Sequence, residues 1–408
     1  MAIEIELQGT LEKESEQEGF SGFLVSLCEE KKIKAEDYGT SVLLDICPEG
    51  SVVCSYTGCF ISIVAQTNIA GPGFHAFVVR LFDDIMMESD VHFEVSDPTQ
   101  YYMNRDFEEL KYTYFYPWLK EIGEYALEES KVQQDICVAW PIHYYHPKVK
   151  EGYMVTPMGY LAIDDFLNKD MMQIAEKFFV WNEIERDAQY YVNCALVILW
   201  KECYFTYSEM NDESEKQTHS ALDYLEAAYD KEPSIGIPSV YTELCKIVHR
   251  EPCIEHYVSI DIPNLGYRKE DVFYEIGDWL LPCSGCAEKT FDKSTQTTTF
   301  MAPYENADTP WSWMMRVNTY CFEKEAATFS EALLDSSENN FSFEHKGCIG
   351  KGVIQESVEY ITLLAQVNCE QDTLFMECIM KDKKDITMFQ TWCKTLRYVK
   401  HIQDKEMN

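Results

Sequence analysis

Residues 52–85 read VVCSYTGCFISIVAQTNIAGPGFHAFVVRLFDDI, and this stretch decides the fold of the N-terminal part of the chain. Its first half favours a long β-hairpin with a break at Thr57-Gly58. Gly71 and Pro72 then fit a helix start, because proline at the first helical position gives up no hydrogen bond. The apolar residues that follow recur at helical spacing: Phe74, Phe77, Val78, Leu81, Phe82 and Ile85. We expect this one-faced helix to lie across the sheet in a two-layer sandwich.

The length and composition indicate a globular protein of more than one domain. A chain of 408 residues exceeds what one hydrophobic core serves, and 46% of its residues are hydrophobic. No run of about 18 apolar residues occurs, so we predict no membrane span. The acidic N-terminus has no basic segment followed by an apolar core, and this predicts a cytoplasmic protein.

The charge of the chain restricts its partners. The formal net charge is −36, from 34 Lys plus Arg against 70 Asp plus Glu. A field of this sign repels phosphate backbones and anionic lipids, so direct binding to nucleic acid or membrane is disfavoured. A basic protein partner is permitted, although surplus carboxylates also serve solubility alone.

Sixteen cysteines are scattered through apolar segments, which predicts buried reduced thiols and no disulfide framework. Cys283 and Cys286 have the spacing of a zinc knuckle or redox pair, but a structural zinc site needs four ligands. Cys245, His249 and Cys253 could complete such a site in space. The plainer interpretation is a pair of ordinary thiols at a strand end, and we predict no metal and no cofactor.

The order of the patterns predicts the α+β class, with two sheet-plus-helix sandwich domains separated by an all-helical segment. We place an N-terminal α+β domain at residues 1–150, a helical domain at 151–256 and a C-terminal α+β domain at 257–408. A helix is expected at 105–130 with Pro117 kinking or interrupting it. The C-terminal part reads as several strands, a helix at 323–334 and a closing helix at 385–399.

Two parts of the chain resemble known families. YYVNCALVILWKECYF at 190–205 and HSALDYLEAAYDKEPS at 219–234 resemble the two helices of one tetratricopeptide unit, with small alanines where the helices approach. The layout of sheet, helix, meander and closing helix at 267–400 resembles the small sandwich of the PsbP and Mog1 proteins. That resemblance implies a binding or accessory role, by analogy of fold alone.

The best candidate for a ligand site is the corner between the hairpin and the helix, at Asn68, Gly71, Gly73 and His75. Exposed amides at a helix N-terminus favour an anion or carboxylate, and glycines let a ligand approach the backbone. The corner has neither the Gly-Lys-Ser/Thr of a phosphate-binding loop nor a dinucleotide fingerprint. The alternative is a structural turn with His75 as a surface or capping residue.

No sequence motif assigns an activity. Our leading hypothesis is a non-enzymatic acidic interaction protein, in its concrete form an immunity-type or antitoxin-like protein that masks a basic partner. The first alternative is a small-ligand-binding protein or enzyme that uses the corner at 71–75. The second is a scaffold whose helical middle holds two binding modules.

Overall fold

The computed structural model describes residues 3–133, 135–141, 143–207, 211–303, 311–323, 325–334 and 340–399. Helices contain 35% of the chain and strands 33%, arranged as several antiparallel sheets with helices. The predicted α+β class is confirmed. In the described parts of the chain, every helix is too short or too polar to cross a membrane.

The N-terminal part is built on a six-stranded antiparallel sheet with the strand order β2-β3-β4-β5-β1-β6. Its strands are β1 Glu4–Thr10, β2 Lys34–Asp37, β3 Ser41–Cys47, β4 Gly50–Thr57, β5 Phe60–Gln66 and β6 Phe93–Ser96. Strands β4 and β5 pair from Thr57 opposite Phe60 to Val53 opposite Val64. The predicted hairpin, with its break at Gly58, is therefore confirmed.

Two helices cover one face of this sheet, and they are α1 Gln17–Glu30 and α2 Pro72–Glu88. Gly71 precedes α2 with φ 108°, and Pro72 occupies the first turn, as the sequence predicts. The apolar positions of α2 are buried against the sheet, Phe74, Val78 and Phe82 among them. Strand side chains on the same face, such as Ile61 and Ile63, complete the core.

A third layer packs on the other side of α2 and differs from the two-layer prediction. It contains α3 Tyr101–Asn104 and a long helix built from α4 Phe107–Glu109, a π-helical stretch at Leu110–Phe115 and α5 Tyr116–Glu129. The rings of Tyr101 and Phe115 contact His75 at centroid distances of 5.9 and 6.0 Å. The periodicity of the sequence predicts only one buried face of α2. The second face is buried by segments that are distant in the sequence.

The π-helical stretch is the response of this helix to Pro117. The amide of Tyr116 donates to the carbonyl of Lys111, five residues earlier. A proline in a regular α-helix clashes with the carbonyl four residues before it and leaves one carbonyl without a donor. The wider π turn relieves that clash, so the helix is interrupted locally as predicted but continues to Glu129.

The middle of the chain is mainly helical but contains short strands. Its elements, with the preceding strand β7, are β7 Tyr145–His146, β8 Tyr153–Thr156, β9 Gly159–Ala162, α6 Asp165–Asn168, α7 Met171–Phe178, α8 Ala188–Val197, a π-helical stretch Ile198–Glu202, α9 Asp212–Lys231, β10 Gly236–Pro238, α10 Tyr241–Ile247 and β11 Val258–Ile260. The prediction of an all-helical segment at 151–256 is wrong at β8, β9 and β10, because strands of three or four residues are too short to show a period.

The C-terminal part contains a seven-stranded antiparallel sheet of order β14-β15-β16-β20-β19-β18-β17 and a four-stranded sheet of order β21-β13-β12-β7. The elements are β12 Asp271–Ile276, β13 Trp279–Ser284, β14 Glu288–Asp292, β15 Thr297–Pro303, β16 Trp311–Cys321, α11 Glu331–Leu334, β17 Asn340–His345, β18 Cys348–Glu356, β19 Ile361–Cys369, β20 Asp372–Met380, α12 Lys384–Thr395 and β21 Arg397–Tyr398. Helix α12 is the predicted closing helix, and its Phe389 and Trp392 pack against Trp313. The helix expected at 323–334 is limited to α11.

Helix α8 contributes to two separate hydrophobic cores. Tyr190, Cys194 and Val197 belong to the N-terminal core, whereas Val192 and Ala195 belong to the C-terminal core. These two sets lie on opposite faces of α8 at spacings of three and four, so the helix has two apolar faces. The division into domains at residues 150 and 256 stays a prediction, and α8 is the element on which both cores meet.

Candidate functional site

The predicted corner is covered by a distant segment of the chain. Gly71, Gly73 and His75 are all buried, and Asn68 is half-buried. The amide of Gly73 donates to the carbonyl of Trp181 at 3.0 Å, and the amide of Trp181 donates to the carbonyl of Ala70 at 2.8 Å. The start of α2 is therefore bonded to protein backbone at the place where the sequence analysis put a ligand.

The two glycines make this backbone approach possible. A Cβ atom on Gly71 would lie 2.6 Å from the Trp181 carbonyl oxygen. A Cβ atom on Gly73 would lie 2.1 Å from Cδ1 of Trp181 and 2.2 Å from the carbonyl oxygen of Glu183. Glycine permits a close approach here, as predicted, but the group that approaches is the chain itself.

The alternative prediction of a structural turn had His75 as a surface or capping residue, but the structure places it fully buried in a polar cluster. Its Nδ1 atom lies 2.9 Å from the hydroxyl oxygen of Thr67, and its Nε2 atom lies 3.3 Å from that of Thr99. An oxygen of the Asp97 carboxylate lies 3.5 Å from Nε2. Both ring nitrogens therefore have polar neighbours inside the core, as a buried imidazole requires.

Asp97 organises the loop before α3. One carboxylate oxygen accepts from the Thr99 amide at 2.9 Å, and the other accepts from the Tyr102 amide at 2.7 Å. Burial by itself raises the pKa of the Asp97 carboxyl. Its hydrogen bonds, with that from His75 foremost, outweigh burial and bring this pKa to about 2.

These contacts account for Gly71, Gly73 and His75 without a ligand. Any ligand at the start of α2 would first have to displace the backbone bond between Gly73 and Trp181. The assignment of Asn68, Gly71, Gly73 and His75 to ligand binding stays a prediction, and the geometry favours the alternative of a structural turn.

The other sequence candidates are separate from one another. Cys283 is buried in β13, and burial raises the pKa of both its thiol and that of Cys286, which makes them poor nucleophiles. Within the described ranges, no three His, Cys, Asp or Glu side chains are grouped so as to hold a metal ion. All sixteen cysteines are free thiols.

The face of the N-terminal sheet opposite α1 and α2 is open to solvent. The outward side chains of β1, β4, β5 and β6 form a surface that we call the open face. They are Glu4, Glu6, Gln8, Thr10, Ser51, Val53, Ser55, Thr57, Phe60, Ser62, Val64, Gln66, Glu94 and Ser96. Phe60 is 67% exposed and Val53 41% exposed, although both are large apolar residues. Most of the other outward side chains are small or polar.

The strand registers order the open face in rows. Val53 lies opposite Val64, and Val64 lies opposite Glu6 on β1. The Ser62 hydroxyl donates to the Glu6 carboxylate at 2.6 Å, which holds that carboxylate on the face. The four strands carry Glu4, Glu6 and Glu94 and no lysine or arginine. The face thus combines an apolar row with charge of one sign.

Comparison with known proteins identifies no family. No protein-family model matches the chain, and no curated protein matches it either. A crystal structure of a protein from Bacteroides thetaiotaomicron VPI-5482 aligns with 32% of this chain at 12% identity and a TM-score of 0.23. The aligned part spans 46% of that chain, and a likeness this low supports no conclusion about fold or function.

Sequence reasoning missed both Trp181 and the open face, for different reasons. The alternation in β1 and β5 already divides their residues into an inward and an outward set, so the members of the face were readable. Their exposure could not be predicted, because it depends on α1 and α2 lying on the same side of the sheet. Nothing in the local sequence around Trp181 indicates that it covers the start of α2.

Proposed function

We propose that this chain is a non-enzymatic interaction protein that binds a basic protein partner through the open face. The observation that supports this proposal is the exposure of Phe60 and Val53 among the outward side chains of β1, β4, β5 and β6, whose charged members are the carboxylates Glu4, Glu6 and Glu94. Exposed apolar side chains grouped on one face are typical of protein interaction sites. Masking of a basic toxin, as immunity-type proteins do, is the concrete form of this function.

Charge complementarity supports a basic rather than a neutral partner. With a net charge of −36, the protein attracts cationic proteins and speeds their encounter, most strongly at low salt. The carboxylates of the open face then orient the partner, while Phe60 and Val53 supply the apolar contact. Binding of this kind weakens as salt rises, because exposed charges are screened.

The test is a pull-down from the native host with two matched variants. The open-face variant carries Val53→Thr, Glu6→Gln and Phe60→Ser, all at outward positions of the sheet. The control variant carries Phe291→Ser, which removes a phenylalanine of similar exposure (52%) from β14 in the other large sheet. Mass spectrometry identifies the bound protein, and its stoichiometry is measured with purified components.

The proposal requires one stoichiometric partner of high isoelectric point. We expect it to bind the original chain and the Phe291→Ser variant equally, and to bind the open-face variant at least about tenfold more weakly. Its affinity should fall between about 0.05 M and about 0.5 M NaCl. A partner that the open-face variant retains in full would disprove this use of the face, as would recovery of the bare protein at low salt.

A further inference from the structure

A cleft of about 460 Å³ lies between the loop at 147–150 and the loop at 264–270, away from the open face. Its lining includes Lys148, Lys150, Tyr160, Asn264, Tyr267 and Lys269. Three lysines therefore line one cleft in a protein whose acidic residues outnumber its basic ones by 70 to 34. The volume lies within the range of small-molecule sites.

Two of these lysines are held by aromatic rings and not by carboxylates. The Lys150 ammonium lies 3.8 Å from the ring centre of Tyr153, and that of Lys269 lies 4.1 Å from the ring centre of Phe205. Among the side chains that the structure describes, no Asp or Glu forms an ion pair with either lysine. Neither ammonium group is therefore neutralised by a carboxylate, and cation–π contacts restrict the positions of both.

The third lysine is already neutralised. Lys148 Nζ lies 2.8 Å from a carboxylate oxygen of Glu270, which also lines the cleft. The hydrogen bond to Glu270 raises the pKa of Lys148, so the Lys148 ammonium stays charged at neutral pH. The lining consequently has two uncompensated positive charges, those of Lys150 and Lys269.

The remaining wall of the cleft is aromatic. The rings of Tyr160 and Tyr267 meet edge to face with centroids 5.0 Å apart. The Tyr160 hydroxyl donates to the Lys148 carbonyl at 2.7 Å, and the Tyr267 hydroxyl donates to the Thr156 carbonyl at 2.9 Å. Because both hydroxyls bind backbone, the two rings have fixed positions: Tyr160 is half-buried and can contact a ligand, and the buried Tyr267 supports it from behind.

We propose that this cleft binds a small phosphate monoester, with the phosphate near Lys150 and Lys269 and the organic part against Tyr160. A phosphate monoester has a charge close to −2 at neutral pH, which matches the two uncompensated ammonium groups. Lysine recognises phosphate as a point charge and needs no bidentate geometry. The remote carboxylates do not prevent this binding, since salt screens exposed charges beyond about 8 Å at physiological ionic strength.

The experiment is calorimetric titration of the full chain with phenyl phosphate, whose ring and dianion match the two halves of the cleft. The test variant carries Lys150→Gln and Lys269→Gln, and both positions are exposed, so its fold should be unchanged in circular dichroism. The control variant is Lys293→Gln, which removes an exposed lysine from the β14–β15 turn. Inorganic sulfate serves as a dianion without a ring.

We expect saturable binding of one phenyl phosphate per chain, weakened at least about tenfold in the double variant and unchanged in Lys293→Gln. Binding should fall below about pH 6, where the phosphate loses its second charge. Equal weakening in both variants would show a general charge effect and overturn the proposal. So would equal affinity for sulfate, or the absence of saturable binding, and none of these results bears on the open face.

Discussion

The hydroxyl oxygen of Thr67 lies 2.9 Å from Nδ1 of His75, and this contact joins the end of β5 to the first turn of α2. Thr67 is also bonded to the start of β1, because its amide and its hydroxyl both lie within bonding distance of the Ile3 carbonyl. The buried histidine thus links the helix to two strands that are adjacent in the sheet but distant in sequence. The corner therefore determines how α2 sits on the sheet.

His75→Ala should lower the free energy of unfolding by about 2–4 kcal/mol, because it leaves a cavity and removes the hydrogen-bond partner of Thr67 and Thr99. Urea unfolding followed by circular dichroism measures the change. His92→Ala is the control, since His92 is exposed, and it should change stability by less than about 0.5 kcal/mol. Equal effects of the two substitutions would contradict the structural role of His75.

The Asp97 carboxylate should stabilise the folded protein at neutral pH and lose this effect at acidic pH. Its pKa is about 2 in the folded protein against an ordinary value of 3.8, so its contribution is present above about pH 4 and is lost as the pH falls towards 2. Asp97→Asn lacks this contribution at every pH. The difference in unfolding free energy between the original chain and Asp97→Asn should therefore shrink from about pH 5 to about pH 3. A constant difference would refute the assigned shift.

Gly73→Ala should be destabilising by more than about 2 kcal/mol, because the added methyl group would overlap the Trp181 ring and the Glu183 carbonyl. Gly22→Ala in α1 is the matched control, since nothing lies within 4 Å of its added Cβ atom. Alanine has the higher helix propensity, so Gly22→Ala should stabilise by about 0.4–1 kcal/mol. Thermal unfolding of both variants tests whether the two substitutions change the stability in opposite directions.

Lys201 and Glu49 form a buried ion pair between the β3–β4 turn and the π-helical end of α8, with 7% and 15% of the side chains exposed. Lys201→Met would leave the Glu49 carboxylate buried without its partner and should cost about 3–5 kcal/mol. Adding Glu49→Gln should recover part of this loss. In contrast, Lys120→Met breaks an exposed pair with Glu124 and should cost less than about 1 kcal/mol. Urea unfolding of these three variants and of the original chain measures the losses.

The sequence predicted elements that local chemistry specifies. The hairpin, the Gly71-Pro72 helix start and the closing helix α12 all depend on residues close together in the chain, so their patterns are readable without a structure. The effect of Pro117 was readable for the same reason. The hairpin of β8 and β9 could not be predicted, because strands of four residues are too short to show a hydrophobic period.

The role of the candidate corner depended on the tertiary structure. His75 lies off the apolar stripe of α2, and by itself the sequence indicated a surface position. Phe115 and Trp181, about 40 and 100 residues further along, bury the second side of α2 and remove the corner from solvent. The same packing leaves the other face of the sheet open. Local sequence therefore determined which residues form each strand and helix, whereas only long-range packing decided which faces are covered, because burial depends on segments that approach from elsewhere in the chain.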